Sequence, residues 1–357
     1  MKNKFILIVV SFCLGTFSYS QYAEVYPTNW WVGMKNTKVQ LIIRGDHEGL
    51  GNEKVHINYP GVTVTGIHKF PNSKYLAVDV QIAATTRPGT VNIEFVSNNA
   101  TNKIAWPLKT RRTGNGKSYA QGVNSSDFIY FLMPDRFSNG DPSNDHIAGM
   151  KDQSLNRDSI YLRHGGDMQG VINHLDYLQS LGVTALWMTP VLENDMPDRT
   201  EHGYAFTDHY KIEPRIGGEA AYLKLSDELH KRGMKLMQDA VYNHIGLNHW
   251  IIQDAPDKDW IHQWPTFTSP NYKEQVFFDP YAAPSDKKQM TDGWFTRQMP
   301  DVNQSNPFMA TFLIQHAIWC VEEFGVDAWR IDTYKYVDLD FMNRCNKALT
   351  DEYPNIT

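Results

Sequence analysis

The chain has 357 residues, of which 41% are hydrophobic and 13% aromatic, and its 34 basic and 40 acidic residues give a formal net charge of -6. This composition is typical of a globular protein long enough for more than one domain, and it excludes a disordered chain. Because the balance is mildly acidic and no long basic run occurs, nucleic acid is also excluded as an expected partner.

The first twenty residues have the build of a secretory signal peptide. Lys2 and Lys4 precede the apolar run FILIVVSFCLGTF, and the small polar residues SYS then lead into Gln21. That order of charged, apolar and small residues is typical of a signal peptide, and the apolar run is too short to span a bilayer. We therefore predict a signal peptide over residues 1–20, no membrane-spanning segment, and an exported protein in the periplasm or the medium; an N-terminal core strand is the alternative.

Short segments with alternating apolar residues follow, and they predict a β-sandwich over residues 21–115. The segments are KVQLIIRG, VTVTGI, YLAVDVQI, TVNIEFV and IAWPLKT, separated by clusters of Gly, Pro and Asn. Such spacing is typical of an antiparallel sandwich of the immunoglobulin type. The polar stretch RRTGNGKSYAQGVNSSD then predicts a linker.

From residue 116 to 357 strand and helix patterns alternate. The apolar runs FIYFLMP, VTALWMTPV, KLMQDAVYNH and VDAWRID each end in polar residues, and helical patterns such as EAAYLKLSDELHKRG lie between them. This alternation predicts a parallel sheet, as in the first half of a (β/α)8 TIM barrel, with ligands bound at the carboxyl ends of the strands. A flavodoxin-like open sheet is the alternative, but no Gly-rich phosphate turn follows the first strand.

A long excursion, roughly residues 245–306, separates the third strand from its helix. Connections of this length are usually functional or disordered, and its many aromatic residues argue against disorder. Aromatic rings can stack on sugar rings, but they can equally form the core of a small subdomain, and the sequence leaves both readings open. The aromatic residues are Trp250, Trp260, Trp264, Phe267, Tyr272, Phe277, Phe278, Tyr281, Trp294 and Phe295.

Polar residues at the ends of the third and fourth strands predict one pocket. Asp239 lies at the end of the third strand, and His244 lies on the loop beyond it. Arg330 and Asp332 share one face of the fourth strand because side chains alternate along a strand. Neighbouring barrel strands place such residues at the same mouth. An Arg beside Asp332 favours the ionised carboxylate, which suits a nucleophile in a reaction that develops positive charge, so glycoside hydrolysis fits.

Four motifs together resemble glycoside hydrolase family 13, the α-amylase family, and within it the cyclomaltodextrinase and neopullulanase branch. They are PDRFSNGDPSND, HGYAFTDHYKIEPRIG, DAVYNH and GVDAWRIDTYK, in this order. The resemblance extends from about residue 125 onward, and the preceding sandwich resembles the N-terminal domain of that branch. It implies a retaining glycoside hydrolase acting on α-1,4 linkages of cyclomaltodextrins, maltodextrins or pullulan.

The resemblance also implies roles for individual residues. Asp332 matches the nucleophile and Arg330 the residue that holds it ionised, so these two are the catalytic candidates. Asp239 matches a residue that shapes the site. Asn243 and His244 belong to the same motif, and the His binds the sugar on the non-leaving side.

Three further residues match substrate-binding positions of the family. Tyr204 matches the tyrosine that stacks beneath the bound sugar, and His202 is its neighbour in the HGY motif. Lys335 matches a lysine that some amylases use on the leaving-group side. Cyclomaltodextrinases more often have a neutral residue there, so TYK is a departure from that branch.

A calcium ion is the expected cofactor. Carboxylate, amide and carbonyl oxygens suit Ca²⁺. The stretch SNGDPSND and the later HGGD supply such oxygens, and the resemblance implies a structural calcium at this place. The ordinary reading of the same residues is turn formation, and they do not form an EF-hand. The predicted ligands are Asn139, Asp141, Asn144, Asp145, the carbonyl of Gly165, and Asp167.

The family's general acid is a Glu after the fifth strand, whereas this chain ends within the fourth helix. Glu352 precedes any fifth strand and is not a candidate for the acid. We therefore expect the chain to be the first part of a longer enzyme and to be inactive alone. A non-catalytic glucan-binding protein, and a glucosyltransferase or sugar isomerase on the same barrel, are the alternatives; the expected partner is an α-glucan or cyclomaltodextrin, and a homodimer stays open.

Overall fold

The structure, a computed structural model, describes residues 22–97 and 100–357. The predicted signal peptide lies outside these residues. The strands are β1 (Ala23–Tyr26), β2 (Trp30–Trp31), β3 (Lys38–Gly45), β4 (Lys54–Ile57), β5 (Val62–Lys69), β6 (Tyr75–Ile82), β7 (Gly89–Val96), β8 (Thr101–Lys109), β9 (Ile129–Leu132), β10 (Ala185–Met188), β11 (Lys235–Ala240) and β12 (Ala328–Ile331). The α-helices are α1 (Pro134–Phe137), α2 (Met168–Asn173), α3 (Leu175–Ser180), α4 (Gly218–Lys231), α5 (Trp250–Gln253), α6 (Pro284–Asp292), α7 (Pro307–Phe324) and α8 (Leu339–Glu352).

The N-terminal part is a sandwich of two four-stranded sheets, as predicted, although the short strand β2 pairs with β8 in parallel and not antiparallel. One sheet has the strand order β1-β3-β6-β5 and the other β2-β8-β7-β4. Alternate residues of β7, namely Val91, Ile93 and Phe95, are fully buried, because successive side chains of a strand point to opposite faces. The sequence pattern located β3, β5, β6, β7 and β8, whereas β1, β2 and β4 are too short to show an alternation.

The four remaining strands form a parallel sheet in the order β12-β11-β10-β9, so consecutive strands are neighbours. This is the arrangement predicted for a barrel half. The helical pattern MQGVINHLDYLQSLG, residues 168–182, is divided into α2 and α3 at His174, whose Nδ1 atom lies 2.8 Å from the carbonyl oxygen of Gly170. Gly325 ends α7 with φ +72°, a left-handed conformation that favours glycine.

A buried ion-pair cluster joins the sandwich to the barrel half. Arg111 donates to Glu322 of α7 and to Glu352 at the end of α8, and both carboxylates are almost fully buried. Glu352 therefore serves this interface and not the mouth of the sheet. The predicted linker is firmly packed, since the backbone N–H groups of Ala120 and Gly122 donate to the carbonyls of Val326 and Asp327.

The excursion after β11 has a buried part and an exposed part. Trp250 and Trp260 are buried, and Trp250 stacks on Tyr26 of the sandwich with ring centroids 5.0 Å apart. In contrast, Phe278 and Tyr281 are 86% and 93% exposed. The first part of the excursion therefore belongs to the core between the two domains, and the middle part presents aromatic rings to solvent.

Candidate active site

The register of β11 and β12 brings the predicted catalytic residues together. Asp239 of β11 is paired with Arg330 of β12. Nη1 of Arg330 donates to both carboxylate oxygens of Asp239, at 3.1 Å each, and to Oδ1 of Asp332 at 2.6 Å. One guanidinium therefore bridges two carboxylates at the carboxyl end of the sheet, as the shared strand face predicted.

Asp332 is held by its backbone as well as by Arg330. Its N–H donates to the carbonyl of Ala240 at 2.8 Å, which continues the ladder with β11 beyond the last strand residue. The next residue, Thr333, has φ +46°, a costly conformation for a β-branched residue, and such strain is concentrated at functional sites. Asp332 is 9% exposed, so its carboxylate is fixed in position while part of it remains open to solvent.

Asp239 is more buried than Asp332 and accepts more hydrogen bonds. Nε1 of Trp187 donates to its Oδ2 atom at 3.0 Å, and the hydroxyl of Tyr204 donates to the same atom at 3.2 Å. Burial raises the pKa of Asp239 to about 6, although the positive charge of Arg330 opposes this shift. Trp187, on β10, was not predicted; the guanidinium of Arg330 lies over its ring, 5.1 Å from the centroid.

The HGY motif places Tyr204 against Asp239 and His202 beside Tyr204, as predicted. The backbone N–H of Tyr204 donates to Nδ1 of His202 at 2.9 Å, and their ring centroids are 5.8 Å apart. Burial raises the pKa of the Tyr204 hydroxyl, and the negative charge of Asp239 adds to this shift. Burial also lowers the pKa of His202. Both side chains are therefore neutral, hydrogen-bonding groups.

His244 is fully buried beside Asn243, in the loop that follows β11. Burial lowers its pKa to about 3, so the imidazole is neutral at ordinary pH. Its ring stacks on Phe295, with centroids 5.0 Å apart and an interplanar angle of 7°. Nε2 of His244 and Oδ1 of Asn243 find no hydrogen-bond partner within residues 22–97 and 100–357. Phe295, from the end of the excursion, was not predicted as part of the site.

Lys335 lies in the turn after Asp332 and is partly exposed. Its ammonium group pairs with Glu274 of the excursion and lies 5.3 Å from the ring centroid of Tyr336. The hydrogen bond to Glu274 raises the pKa of Lys335. The structure therefore gives Lys335 a protein partner that the sequence did not predict, and this pair connects the excursion to the loop after β12.

The predicted calcium ligands form a second polar cluster, in the loops between β9 and α2. Asp167 receives hydrogen bonds from the backbone N–H groups of Gly140, Asp141 and Gly170, and it caps α2. Asp141 is exposed and accepts from the backbone and hydroxyl of Ser143. The hydrogen bonds of Asp141 and Asp167 therefore stabilise the loop itself.

The other predicted ligands fit a cation better. Oδ1 of Asn139 and Oδ1 of Asn144 are buried and find no hydrogen-bond partner among the described residues. Nδ2 of Asn139 donates to Asp145, and a side chain at Gly165 would collide with Asp145. No three His, Cys, Asp or Glu side chains in the described part of the chain form a metal site by themselves, so amide and carbonyl oxygens would have to contribute.

Two family models match the chain. The α-amylase catalytic domain matches residues 131–356, and the cyclomaltodextrinase N-terminal domain matches residues 24–112. Both matches agree with the sandwich, the parallel sheet and the carboxylates at the mouth of that sheet. The chain belongs to the α-amylase family, which confirms the resemblance seen in its motifs.

Similar proteins support the same assignment. An intracellular maltogenic amylase of Bacillus subtilis is 33% identical over 240 residues, which are 64% of this chain and 36% of that protein. Neopullulanase 2 of Thermoactinomyces vulgaris is 33% identical over 232 residues, 64% of this chain and 37% of that protein. The crystal structure of an Anoxybacillus α-amylase is 34% identical with a TM-score of 0.53, covering 64% of this chain and 45% of that one. The chain thus spans little more than a third of the two curated relatives.

The predicted export of the protein has less support than its assignment to the α-amylase family. Across residues 22–97 and 100–357, no helix combines the length and apolar character needed to cross a bilayer. The Bacillus subtilis relative is named intracellular, which does not support export. Export therefore stays a prediction from the first twenty residues.

Proposed function

We propose that the whole protein is a retaining α-glucan hydrolase that cleaves α-1,4 linkages in cyclomaltodextrins, maltodextrins or pullulan. The observation that carries the proposal is the bridge from Arg330 to Asp239 and Asp332 at the carboxyl ends of β11 and β12. The names of the relatives, a maltogenic amylase and a neopullulanase, support the substrate class.

In this proposal Asp332 attacks the anomeric carbon of the sugar. Its Oδ1 atom is bound by Arg330, and its Oδ2 atom takes no hydrogen bond from the described residues. The glycosyl-enzyme bond forms as the glycosidic bond breaks, and water later releases the sugar, so two inversions retain the configuration. Tyr204 would lie beneath the sugar ring, and the unpartnered Nε2 atom of His244 would bind a sugar hydroxyl.

The whole reaction also requires a general acid about 5 to 5.5 Å from the nucleophile. Asp239 does not suit this role, although burial raises its pKa, because Arg330, Trp187 and Tyr204 already donate to its carboxylate. We therefore propose that Asp239 positions Arg330 and Tyr204. The general acid would be another residue of the whole protein.

Hydrolysis by the protein produced from its native gene tests the proposal. Maltoheptaose, β-cyclodextrin and pullulan are incubated with it, and reducing ends and the configuration of the first product are measured by proton NMR. We expect new reducing ends and an initial α-anomer. Products longer than the substrate would instead indicate the glucosyltransferase alternative, and binding without any new product would indicate the glucan-binding alternative.

We also propose that a structural Ca²⁺ lies among the second polar cluster, held by Asn139, Asn144 and Asp145 with the carbonyl of Gly165. The two buried amide oxygens without a partner support this proposal. Ca²⁺ should raise the melting temperature of the wild-type protein above that in EGTA, because a ligand that binds the folded state stabilises it. Asn139→Ala should remove the increase; an equal increase in that variant would overturn the assignment.

Export and dimerisation are further proposals for the whole protein. Cell fractionation with sequencing of the mature N-terminus tests export: a start near Gln21 in the periplasm or medium supports it, and an intact Met1 in the cytoplasm overturns it. Sedimentation velocity distinguishes the homodimer from the monomer.

A further inference from the structure

An open pocket of about 400 Å³, the arginine pocket, adjoins the candidate active site at His202. His202 joins the two places, because its Nδ1 atom accepts from the backbone of Tyr204, whose hydroxyl donates to Asp239. The volume lies within the range of small-molecule sites. The other lining residues are Arg199, Thr296, Arg297, Gln298 and Met299.

Two exposed guanidinium groups line the arginine pocket, and aromatic rings hold both of them. Cζ of Arg199 lies 4.6 Å from the ring centroid of Tyr161, and Cζ of Arg297 lies 4.6 Å from that of Phe267. A guanidinium that stacks on a ring keeps the N–H groups at its edge available as donors. Both groups are therefore held in place while they remain accessible to a ligand.

The positive charge of the arginine pocket is only partly compensated. Nε of Arg199 pairs with Oε1 of Glu201 at 3.0 Å. Arg297, in contrast, has no carboxylate partner within residues 22–97 and 100–357, and none of the lining residues is acidic. The charge of Arg297 is therefore available to bind an anion.

The polar groups of the arginine pocket are mainly hydrogen-bond donors. Nδ1 of His202 accepts a hydrogen bond, so the hydrogen of the neutral imidazole is on Nε2, which adds a donor to those of the two guanidinium groups. The hydroxyl oxygen of Thr296 already accepts from the backbone of Gln298 at 3.2 Å. A sugar hydroxyl both donates and accepts, whereas a phosphate dianion or a carboxylate only accepts, so this set of donors fits an anionic group better.

His202 also senses the charge of the arginine pocket. Burial lowers its pKa, the carboxylate of Glu201 opposes this shift, and the guanidinium of Arg199 adds to it. A bound anion would act in the opposite direction and would raise the pKa of His202, because negative charge stabilises the imidazolium. The imidazole is therefore a reporter for occupation of the pocket.

We propose that the arginine pocket binds an anionic group, a phosphate or a carboxylate, on a sugar unit next to the one that is held at the candidate active site. Arg199 and Arg297 would donate to its oxygens, since the guanidinium fork matches the geometry of both groups. The protein would thus prefer acidic α-glucans to neutral ones. The choice of an α-glucan as the carrier of the anionic group rests on the proposed function.

Calorimetry of the whole protein that carries Asp332→Asn tests the proposal, because the sugar is then not consumed. Maltoheptaose is compared with maltoheptaoses that carry one phosphate at the 6-position of a glucosyl unit, and with a matched set that carries one carboxylate there. We expect an anionic form to bind about fivefold or more tightly than the neutral sugar at low salt. A preference for one set identifies its group as the source, and a preference for both supports the shared chemistry.

Arg297→Gln is the main variant, since Arg297 has no ion pair whose loss could destabilise the protein. It should reduce the preference, measured as the ratio of the two dissociation constants, to less than about twofold. Arg87→Gln makes the same chemical change at an exposed position between β6 and β7, and it should leave the ratio unchanged. Raised salt should also reduce the ratio, because exposed charges are screened.

The imidazole of His202 supplies a second signal. Its Cε1–H resonance, assigned with His202→Gln, is followed by NMR as the pH is varied in the Asp332→Asn protein. The phosphorylated sugar should raise the pKa of His202 above its value with maltoheptaose. Equal pKa values together with equal affinities for the two sugars would overturn the proposal. Inorganic phosphate that raises the pKa, without tighter binding of the phosphorylated sugar, would show an adventitious ion only and would also overturn it.

The outcomes also separate this proposal from the proposed function. Hydrolysis of maltoheptaose by the protein with native Asp332, together with equal affinities for anionic and neutral sugars, would overturn the anion site alone. No hydrolysis, together with a preference that Arg297→Gln removes, would overturn the hydrolase proposal and leave the anion site in place. A preference that survives Arg297→Gln but is lost in Lys335→Gln would show that the anion binds at Lys335 and would overturn the assignment to the arginine pocket.

Discussion

The active-site mouth and the polar loop contain similar residues but hold them in different ways. The mouth is formed by Asp239, Arg330 and Asp332, and the polar loop by residues 139–145 and 165–167. In the mouth the carboxylates are bound by side chains, mainly the guanidinium of Arg330. In the polar loop, Asp167 is bound by three backbone N–H groups.

This difference distinguishes the proposed nucleophile, Asp332, from a carboxylate that holds a loop, Asp167. Backbone donors occupy Asp167 on both oxygens and fix the path of the chain, so its loss should act on folding. Arg330 holds only one oxygen of Asp332 and leaves the other available at a partly open position. In the proposed reaction Asp332 can attack because one of its oxygens is free, whereas donors occupy both oxygens of Asp167.

The largest expected effect is the loss of activity in Asp332→Asn. An amide cannot act as the nucleophile, so kcat/KM for maltoheptaose should fall by at least about 10³-fold, while the melting temperature changes little. Asp227→Asn, an exposed change on α4, is the control. Activity within about twofold of wild type in Asp332→Asn would refute the role of this residue.

Asp167→Ala should act on stability instead. Removing the carboxylate leaves three backbone donors and the N-terminus of α2 without their partner, so the free energy of unfolding should fall by about 2 to 4 kcal/mol. Urea unfolding in EGTA measures it, with Asp167→Asn as a milder variant. A loss seen only when Ca²⁺ is present would contradict the structural role and favour direct metal binding.

The pH dependence of stability should reveal the burial of Asp239. Its folded-state pKa of about 6 exceeds the ordinary value of 3.8, so the folded protein binds this proton more tightly than the unfolded chain does. This stabilisation is complete below pH 3.8 and is lost as the pH rises through about 6, by up to about 3 kcal/mol. Urea unfolding of the wild type and of Asp239→Asn across this window should show the difference; parallel curves would contradict the shift.

Lys335→Ala should have the smallest effect. Its exposed pair with Glu274 should contribute little to stability, so no measurable change in melting temperature is expected. If Lys335 binds sugar on the leaving-group side, KM for maltoheptaose should rise a few-fold. Lys347→Ala, which breaks the exposed pair with Asp351 on α8, is the matched control and should leave KM unchanged.

Local patterns predicted most of the elements but only part of the site. Strands such as β6 and β7 followed from alternation, and the positions of Asp239 and Arg330 followed from strand ends. Trp187 was missed because it precedes the end of an ordinary apolar strand, and nothing in its local sequence marks it. Phe295 was noted only as one of ten aromatic residues of the excursion, and nothing in its local sequence set it apart from the other nine. The HGY motif predicted Tyr204 as a site residue, although Tyr204 lies outside the regular strands.

Side-chain periodicity and motifs of adjacent residues were enough to predict the order of the two domains, the parallel sheet and the candidate catalytic residues. Which of these side chains contact each other depends on how the strands and helices pack. The register of β11 and β12 placed Arg330 between two carboxylates. The docking of α7 on β3 joined Gln40 to Gln315 across 275 positions of the chain. Such contacts depend on how separate elements pack, and no local pattern of residues encodes them.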